Sequence, residues 1–452
     1  MSKPKEYSWM TKDKLMTYTF IALLILAIVS AVLWWGVTTP SGWNQGLTVI
    51  IISVIAVGIA VGLDALLYKV TADSPLNIMS AAVFGFIVAL SYTLGVPFMR
   101  TVEVLPLEAP DAFLYVAFIS AIGLVIFKKL QGLAGRKYVN PAATAKLIVL
   151  LPFFNSILIA VDHLKSSALG VPALAGPIGY NVINNNGLAS FATYVAGCFI
   201  NPSLPASGSP TQNEVFSYLL LDKFHGWVGG ASSLAVIIVG IGLFIACRRY
   251  IKWRITLAYF VTVTLMALLL NFVYPGGDLM LRLGFELFIG SSIFLAFFMA
   301  TDPATTPLTY VGQIIFGVGL GVLTVLIQTY MNFFGGSILA LVIMNLTSPL
   351  LDKVGKMKPI TEKITPKLPK AKQFTTVKTY ECIRCGACMR SCCLHLSPIL
   401  VKQAFDKSNF EACRKLQANI CEGCGHCSFV CPARIDLKGT MLRAKSALRT
   451  MQ

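Results

Sequence analysis

Gly46–Tyr68 reads GLTVIIISVIAVGIAVGLDALLY, and Asp64 is its one charged residue. A helix needs about 20 predominantly apolar residues to cross the hydrocarbon core of a bilayer, and this stretch supplies them. Nine more runs have the same character: 16–37, 79–98, 111–127, 141–161, 227–247, 254–273, 283–301, 311–330 and 335–351. Pro97 ends the third run and Pro141 opens the fifth. The whole chain is 56% hydrophobic and 13% charged. So many uncharged runs in series argue against a soluble helical core. The first run is too long for a cleavable signal peptide and no small-residue cleavage site follows it. The expectation is an all-α polytopic membrane protein of about ten transmembrane helices.

Lysine and arginine orient these spans, because cytoplasmic loops carry the excess of both. Lys3, Lys5, Lys12 and Lys14 precede the first span, and Lys69 follows the second. Lys128, Lys129, Arg136 and Lys137 follow the fourth, and Arg248, Arg249, Lys252 and Arg254 follow the sixth. Seven lysines from Lys353 to Lys372 follow the tenth. With ten spans, all of these fall on one side. The opposite loops hold only Arg100, Lys165, Lys223 and Arg282. Both termini are therefore expected in the cytoplasm, at the inner membrane of a cell. The net charge of +17 reads as topology and contact with anionic lipid, not as a nucleic-acid surface.

The tail carries a different signal. Cys382, Cys385, Cys388 and Cys392 are spaced C-x2-C-x2-C-x3-C; Cys421, Cys424, Cys427 and Cys431 repeat that spacing, closed by Pro432. This is the rhythm of bacterial two-cluster ferredoxins, in which the fourth cysteine of each run ligates the other run's cluster. The expected ligand sets are Cys382, Cys385, Cys388 and Cys431 for one [4Fe-4S] cluster, and Cys421, Cys424, Cys427 and Cys392 for the other. Zinc also uses paired cysteines, but not in this x2-x2-x3 rhythm. A cytoplasmic location keeps thiols reduced and suits ligation better than disulfides. Gly386 and Gly425 lie inside the runs, where the backbone must wrap tightly. Cys393, where ferredoxins usually have proline, and Cys413 read as unligated thiols, with alternative ligation left open. His395 and His426 flank ligands as surface or supporting groups. Cys198 and Cys247 read as ordinary small apolar residues.

Three units follow: a membrane part over 1–352, a lysine- and proline-rich tether over 353–378, and a two-cluster ferredoxin-like part over 379–452. Within the membrane part, Asn140-Pro141-Ala142-Ala143-Thr144 is echoed by Asp302-Pro303-Ala304-Thr305-Thr306. Together with the span count, the echo suggests halves of five plus five spans in an inverted repeat, a plan common among transport folds.

The stretch Phe298–Thr309, FMATDPATTPLT, followed by Gly312 and Phe316-Gly317, resembles the signature shared by the D subunit of the Rnf electron-transport complex and the B subunit of the sodium-pumping NADH:quinone reductase. Met344-Asn345 with Pro349, Leu350 and Asp352 is similar to that family's last span, and Ser80-Ala81-Ala82 and Trp253-Arg254 to earlier blocks. Gly229-Gly230-Ala231-Ser232 matches a Gly-Glu-Thr-Ser-like turn in part. The resemblance covers roughly residues 10–352. The tail resembles the ferredoxin segment of the Rnf C subunit through Cys382-Ile383-Arg384-Cys385, Leu396-Ser397-Pro398, Cys431-Pro432-Ala433-Arg434 and Arg443-Ala444-Lys445.

The resemblance implies a flavin, FMN or riboflavin, with FMN joined by a phosphodiester to the threonine of a Ser-Gly-Ala-Thr-like motif in the long outer loop. The best match is Ser166-Ser167-Ala168-Leu169, and Leu169 has no oxygen to esterify. Ser190-Phe191-Ala192-Thr193 keeps the threonine, which makes Thr193 the candidate anchor ahead of Ser166 or Ser167. A flavin held without a covalent bond stays open.

Asp64, Glu286 and Asp302 stand in or beside apolar runs, where a carboxylate is costly. Each reads as a cation path or as a structural group, a helix cap in the case of Asp302. No G-x-G-x-x-G opens a helix, so NADH binding is not expected of this chain. The favoured reading is a redox subunit of a translocase, passing electrons from cytoplasmic clusters toward a membrane flavin or a partner subunit. Its partners are other Rnf- or Nqr-like membrane and flavoprotein subunits, with a soluble ferredoxin or an NADH-oxidising subunit as donor. The competing reading is a transporter-like protein with a redox-sensing cluster domain.

Overall fold

The computed structural model describes residues 8, 10–35, 42–70, 77–92, 109–133, 137–150, 227–273, 279–288, 292–330, 336–355 and 379–450, with short pieces at 5–6, 166–167, 171–172, 220–221 and 373–374. Among them, the main helices of the membrane part are α1 (Lys12–Leu33), α2 (Gln45–Val70), α3 (Ile78–Ser91), α4 (Asp111–Ile122), α5 (Pro141–Leu150), α6 (Ser233–Cys247), α7 (Trp253–Val273), α8 (Leu279–Phe288), α9 (Ser292–Phe294), α10 (Tyr310–Tyr330) and α11 (Gly336–Leu351). α4 runs on through a wider π-wound stretch, Gly123–Leu130, and α9 through another, Leu295–Met299. Each of the ten expected apolar segments contains a described helix. Among the described residues, five helices are long and apolar enough to cross a membrane: Lys12–Leu33, Gln45–Lys69, Asp111–Leu130, Trp253–Val273 and Tyr310–Ile327. Three shorter ones, Ile78–Ser91, Ser233–Cys247 and Gly336–Leu351, are also apolar. Among the described residues, strand pairing is limited to Lys5–Glu6 with Gln373–Phe374 and Ser166–Ser167 with Val171–Pro172.

Helices dominate because a hydrocarbon medium leaves no water to satisfy backbone N–H and C=O groups, and a helix satisfies them within itself. Polar side chains mark the starts. Thr11 accepts the Lys14 N–H at 3.2 Å and Ser232 accepts the Ala235 N–H at 3.3 Å. Small residues set how closely the helices cross. A Cβ on Gly85 of α3 would stand 2.7 Å from the Ala56 carbonyl of α2, and one on Gly317 of α10 would stand 2.6 Å from the Ile255 carbonyl of α7. α2 packs on α3 and α4, α7 on α10, and α10 on α11. Large apolar side chains such as Val54, Ile245 and Phe272 face outward.

The motif echo takes one local form. Asn140 Oδ1 accepts the N–H groups of Ala142 and Ala143 at 3.1 and 3.2 Å and so caps α5. Asp302 Oδ1 accepts the Ala304 N–H at 3.1 Å, and the Asp302 carboxylate also accepts the Thr305 hydroxyl at 3.4 Å. No helix follows Asp302 before Tyr310, so the expected helix cap is a turn. The two motifs stand side by side, with Asn140 Nδ2 donating to the Met299 carbonyl at 3.3 Å. Asp64 is a buried ion-pair partner of Lys129 at 2.5 Å and accepts the Asn77 N–H at 2.9 Å. That geometry is the structural alternative to a cation path.

The cysteine-rich tail folds as α12 (Ala387–Arg390), α13 (Pro398–Asp406), α14 (Phe410–Lys415), α15 (His426–Phe429) and α16 (Leu437–Thr450). Leu394, Leu396, Val401, Ala418, Met441 and Ala444 form its apolar centre. It is docked on the membrane part rather than held by a tether alone. Ile383, Cys385, Ala387 and Val430 are buried in one continuous apolar cluster with the membrane helices.

Candidate functional site

The two cysteine runs fold into matching loops. Arg384 and Gly423, each two residues after the first cysteine of its run, are left-handed, with φ of +52° and +67°. From there each backbone N–H reaches the preceding cysteine sulfur at 3.4 Å, Arg384 N to Cys382 Sγ and Gly423 N to Cys421 Sγ. Gly386 and Gly425, at φ +71° and +82°, then turn the chain into α12 and α15. The match extends past the fourth cysteines. His395 donates its N–H to the Cys392 carbonyl and Arg434 to that of Cys431, both at 3.1 Å, and both residues are left-handed.

The loops enclose two cavities. Cys382, Cys385, Cys388 and Cys431 line the first, with Ile399, Ile435 and Leu437. Cys392, Cys421, Cys424 and Cys427 line the second, with Leu394, Leu396 and Met441. Each wall thus takes three cysteines of one run together with the fourth cysteine of the other, Cys431 in the first and Cys392 in the second. Among the described residues, no three His, Cys, Asp or Glu converge closely enough to hold a single metal ion. The sulfurs are instead spread around the cavities. Burial, more than any neighbouring charge, lifts the Cys427 and Cys431 thiols to about 12. Any metal held by these thiols would have to displace protons.

The remaining tail residues separate clearly. Cys413 is buried in the apolar centre, its Sγ 3.8 Å from the Val401 carbonyl, and lines neither cavity. Cys393 lines the second cavity beside Cys392. His395 and His426 line neither. Cys247 is buried at the end of α6. Leu169, Thr193 and Cys198 lie outside the described residues, and so does most of the outer loop proposed to carry a flavin.

The first cavity is the one pressed against the membrane part. Arg384 Nη2 pairs with Asp352 Oδ2 at 2.8 Å, and both side chains are buried. Asp352 Oδ1 accepts the Leu308 N–H at 2.8 Å, which ties α11's end, the FMATDPATTPLT segment and the first cysteine loop into one knot. Leu308 packs in one apolar group with Cys388, Cys427 and Cys431. The Lys12 N–H, an orphan donor of α1's first turn, bonds the Pro432 carbonyl at 2.9 Å. Lys252 Nζ donates to the carbonyls of Pro303 and Thr306 and to the Thr306 hydroxyl at 2.8–2.9 Å. Burial pulls its ammonium down to about 7.

Two groups escaped the sequence reading. Arg384 stood out only as part of a motif, and its salt bridge joins residues 32 apart in sequence. Lys146 was readable: it is the one basic residue in the 141–161 run, and an ionisable residue inside a span is a functional candidate by default. It is buried in α5, donates to the Ser91 carbonyl at 2.5 Å and lies 4.7 Å over the Trp227 ring.

Comparison with known proteins bears on the membrane part. Residues 2–361 match the model of the NQR2, RnfD, RnfE family, and the cysteine-rich tail lies beyond them. The D subunit of the ion-translocating oxidoreductase complex of Stutzerimonas stutzeri is 30% identical over 241 residues, 52% of this chain and 66% of that protein. The D subunit of the Na(+)-translocating ferredoxin:NAD(+) oxidoreductase complex of Acetobacterium woodii is 27% identical over 318 residues, 70% of this chain and 84% of that protein. The B subunit of the Na(+)-translocating NADH-quinone reductase of Ectopseudomonas mendocina is 29% identical over 240 residues, 51% of this chain and 52% of that protein.

Proposed function

The chain belongs to the NQR2, RnfD, RnfE family, and on that premise we propose that it is the membrane electron-transfer subunit of an Rnf- or Nqr-like ion-translocating oxidoreductase, fused to its own electron-entry unit. Electrons from a soluble ferredoxin or an NADH-oxidising partner pass through the cysteine-rich unit toward a membrane flavin or a neighbouring subunit. The chain is one redox part of a translocase and not a complete enzyme alone. The observation that carries the reading is the pair of cavities, one lined by four cysteines and the other by five, docked on a membrane part of this family.

Two [4Fe-4S] clusters, when bound, supply one-electron carriers at these cavities. Cys382, Cys385, Cys388 and Cys431 are the proposed ligands of one, and Cys421, Cys424, Cys427 and Cys392 of the other. The N–H groups of Arg384 and Gly423 already point at ligand sulfurs, the kind of hydrogen bond that tunes such centres. Leu308, Ile399 and Leu437 keep the space around Cys388 and Cys431 dry. Arg384 and Asp352 hold the first set against the membrane part, while the second set has one buried cysteine in four and faces outward.

We assign the membrane part to 1–352, the tether to 353–378 and the cluster unit to 379–452, with ten spans as five plus five and both termini cytoplasmic in the inner membrane. The basic loops support this sidedness, because Lys12, Arg249 and Lys252 gather at the end where the cysteine unit sits. Leu169 lacks the hydroxyl that a phosphodiester to FMN requires, so any flavin is held non-covalently, or through Thr193.

Iron, labile sulfide and flavin analysis of the purified chain tests the reading. About eight irons and eight sulfides per chain are expected, and a denaturing gel should show no flavin fluorescence. Absence of iron after anaerobic reconstitution would sink the electron-entry role. A fluorescent band lost in Thr193→Ala would identify the anchor.

A further inference from the structure

We propose that a basic cavity at the junction of the membrane part and the cysteine unit binds the phosphate of an anionic phospholipid headgroup. The cavity measures about 380 Å³, within the roughly 300–1,000 Å³ of ligand clefts. Arg248, Arg249, Trp253, Arg254 and Tyr310 wall it from the membrane part, and Arg390 walls it from the cysteine unit. Four arginines thus line one open cavity, and no carboxylate does. Among the described residues, none of the four is in an ion pair. Like charges so gathered repel one another, and an anion placed among them relieves that repulsion.

The geometry favours a phosphate. Arg254 lies 3.8 Å over the Tyr310 ring and 4.8 Å over Trp253, and Arg390 lies 5.8 Å over Tyr310. Aromatic faces hold a guanidinium by its plane and leave its N–H edges for bidentate contact with phosphate oxygens. Arg390 commits hydrogen bonds to the carbonyls of Cys385 and Arg249 at 2.8 and 2.6 Å. Those two bonds tie the cysteine loop to the cavity wall.

The fold also favours a lipid as the source of that phosphate. The cavity floor is the junction of α6 with α7 and the first turn of α10, all apolar helices. Residues four apart share a helix face. Leu257 therefore continues the Trp253 face of α7 and Ile314 the Tyr310 face of α10, and both are exposed apolar side chains. A headgroup in the cavity would have its acyl chains along this strip, at the level where basic pockets between helix ends take acidic lipids. The inference rests on the reading of these helices as membrane spans, and it needs no cluster or electron transfer. The bound lipid would bridge the two units.

Native mass spectrometry of the full chain in detergent, with phosphatidylglycerol or phosphatidylcholine added, tests the proposal. One phosphatidylglycerol per chain is expected, with a preference of about tenfold or more over phosphatidylcholine. The preference should disappear in Arg248→Gln/Arg254→Gln and persist in Arg449→Gln, a control in α16. If the double variant does not elute as a single species, each single variant should still lower the retained lipid several-fold. Equal retention of both lipids, or unchanged retention in the variants, would overturn the proposal. So would displacement of the lipid by millimolar inorganic phosphate, which would assign the cavity to a soluble anion. The iron content should stay unchanged in every variant, which separates this result from the electron-entry reading.

Discussion

The loops Cys382–Cys392 and Cys421–Cys431 follow the same backbone path but meet different surroundings. In the first set, three of the four cysteines are buried; in the second, one is. The residue just before the second cysteine of each run shows why. Both loops turn through a left-handed residue there. The second loop uses Gly423, which packs against Leu442 of its own unit. The first uses Arg384, accepts the strain of a left-handed non-glycine residue, and sends its guanidinium to Asp352 of the membrane part. A duplicated local motif has thus been given a membrane side and an outer side by one side chain and its partner.

Removing a ligand tests the comparison most strongly. Cys424→Ala should lose about half of the iron and leave the docking intact, because Cys424 belongs to the outward set. Cys385→Ala should lose a similar share and also loosen the docking, because Cys385 belongs to the apolar cluster shared with the membrane helices. Iron content together with protease release of the tail measures both effects. Cys413→Ala should leave iron unchanged. Equal docking in the two ligand variants would break the distinction between the sets.

Asp352→Ala comes next. It strands a buried guanidinium and the Leu308 N–H at once, and breaking a buried pair from one side costs about 3–5 kcal/mol. The tail should come away from the membrane part at lower denaturant, as followed by proteolysis within 356–372. Arg384→Gly should cost less: it leaves the Asp352 carboxylate without its charge partner, but the Leu308 N–H bond is kept and the left-handed strain is relieved. A larger effect from Arg384→Gly would show that the arginine does more than dock.

The smallest effects come from the turn glycines. Alanine at φ near +70° costs about 1–2 kcal/mol. At Gly425 little is added, since a Cβ would meet only Lys438 Cδ at 3.3 Å. At Gly386 it would meet Arg390 Nη1 at 2.7 Å and the Leu308 carbonyl at 3.3 Å. Gly386→Ala should therefore lower the melting temperature more than Gly425→Ala. Equal shifts would mean that Leu308 and Arg390 yield freely at the docking face.

Much of this was legible in the chain. Apolar runs located the helices because a bilayer demands long uncharged segments. The x2-x2-x3 rhythm grouped cysteines that do line common cavities, Cys431 with the first run and Cys392 with the second, but not Cys393 beside them. The Asn140 and Asp302 motifs were visible as an echo, but their side-by-side placement was not, because the Asn140–Met299 contact spans 159 residues. Asp64 was visible as a carboxylate inside an apolar run, but its partner Lys129, from another helix, was not.

The sequence by itself determined the local pattern: apolar length makes long helices, cysteine spacing makes two matching loops, and lysine and arginine gather in particular loops. Each depends on residues close together in the chain. Tertiary structure alone decided that the cysteine unit docks through Arg384, Asp352 and Leu308, that one set faces the membrane part, and that four arginines from two units surround one cavity. The reason is physical. A salt bridge or a shared cavity wall joins groups far apart in sequence, and no periodicity records which distant partner a side chain will meet.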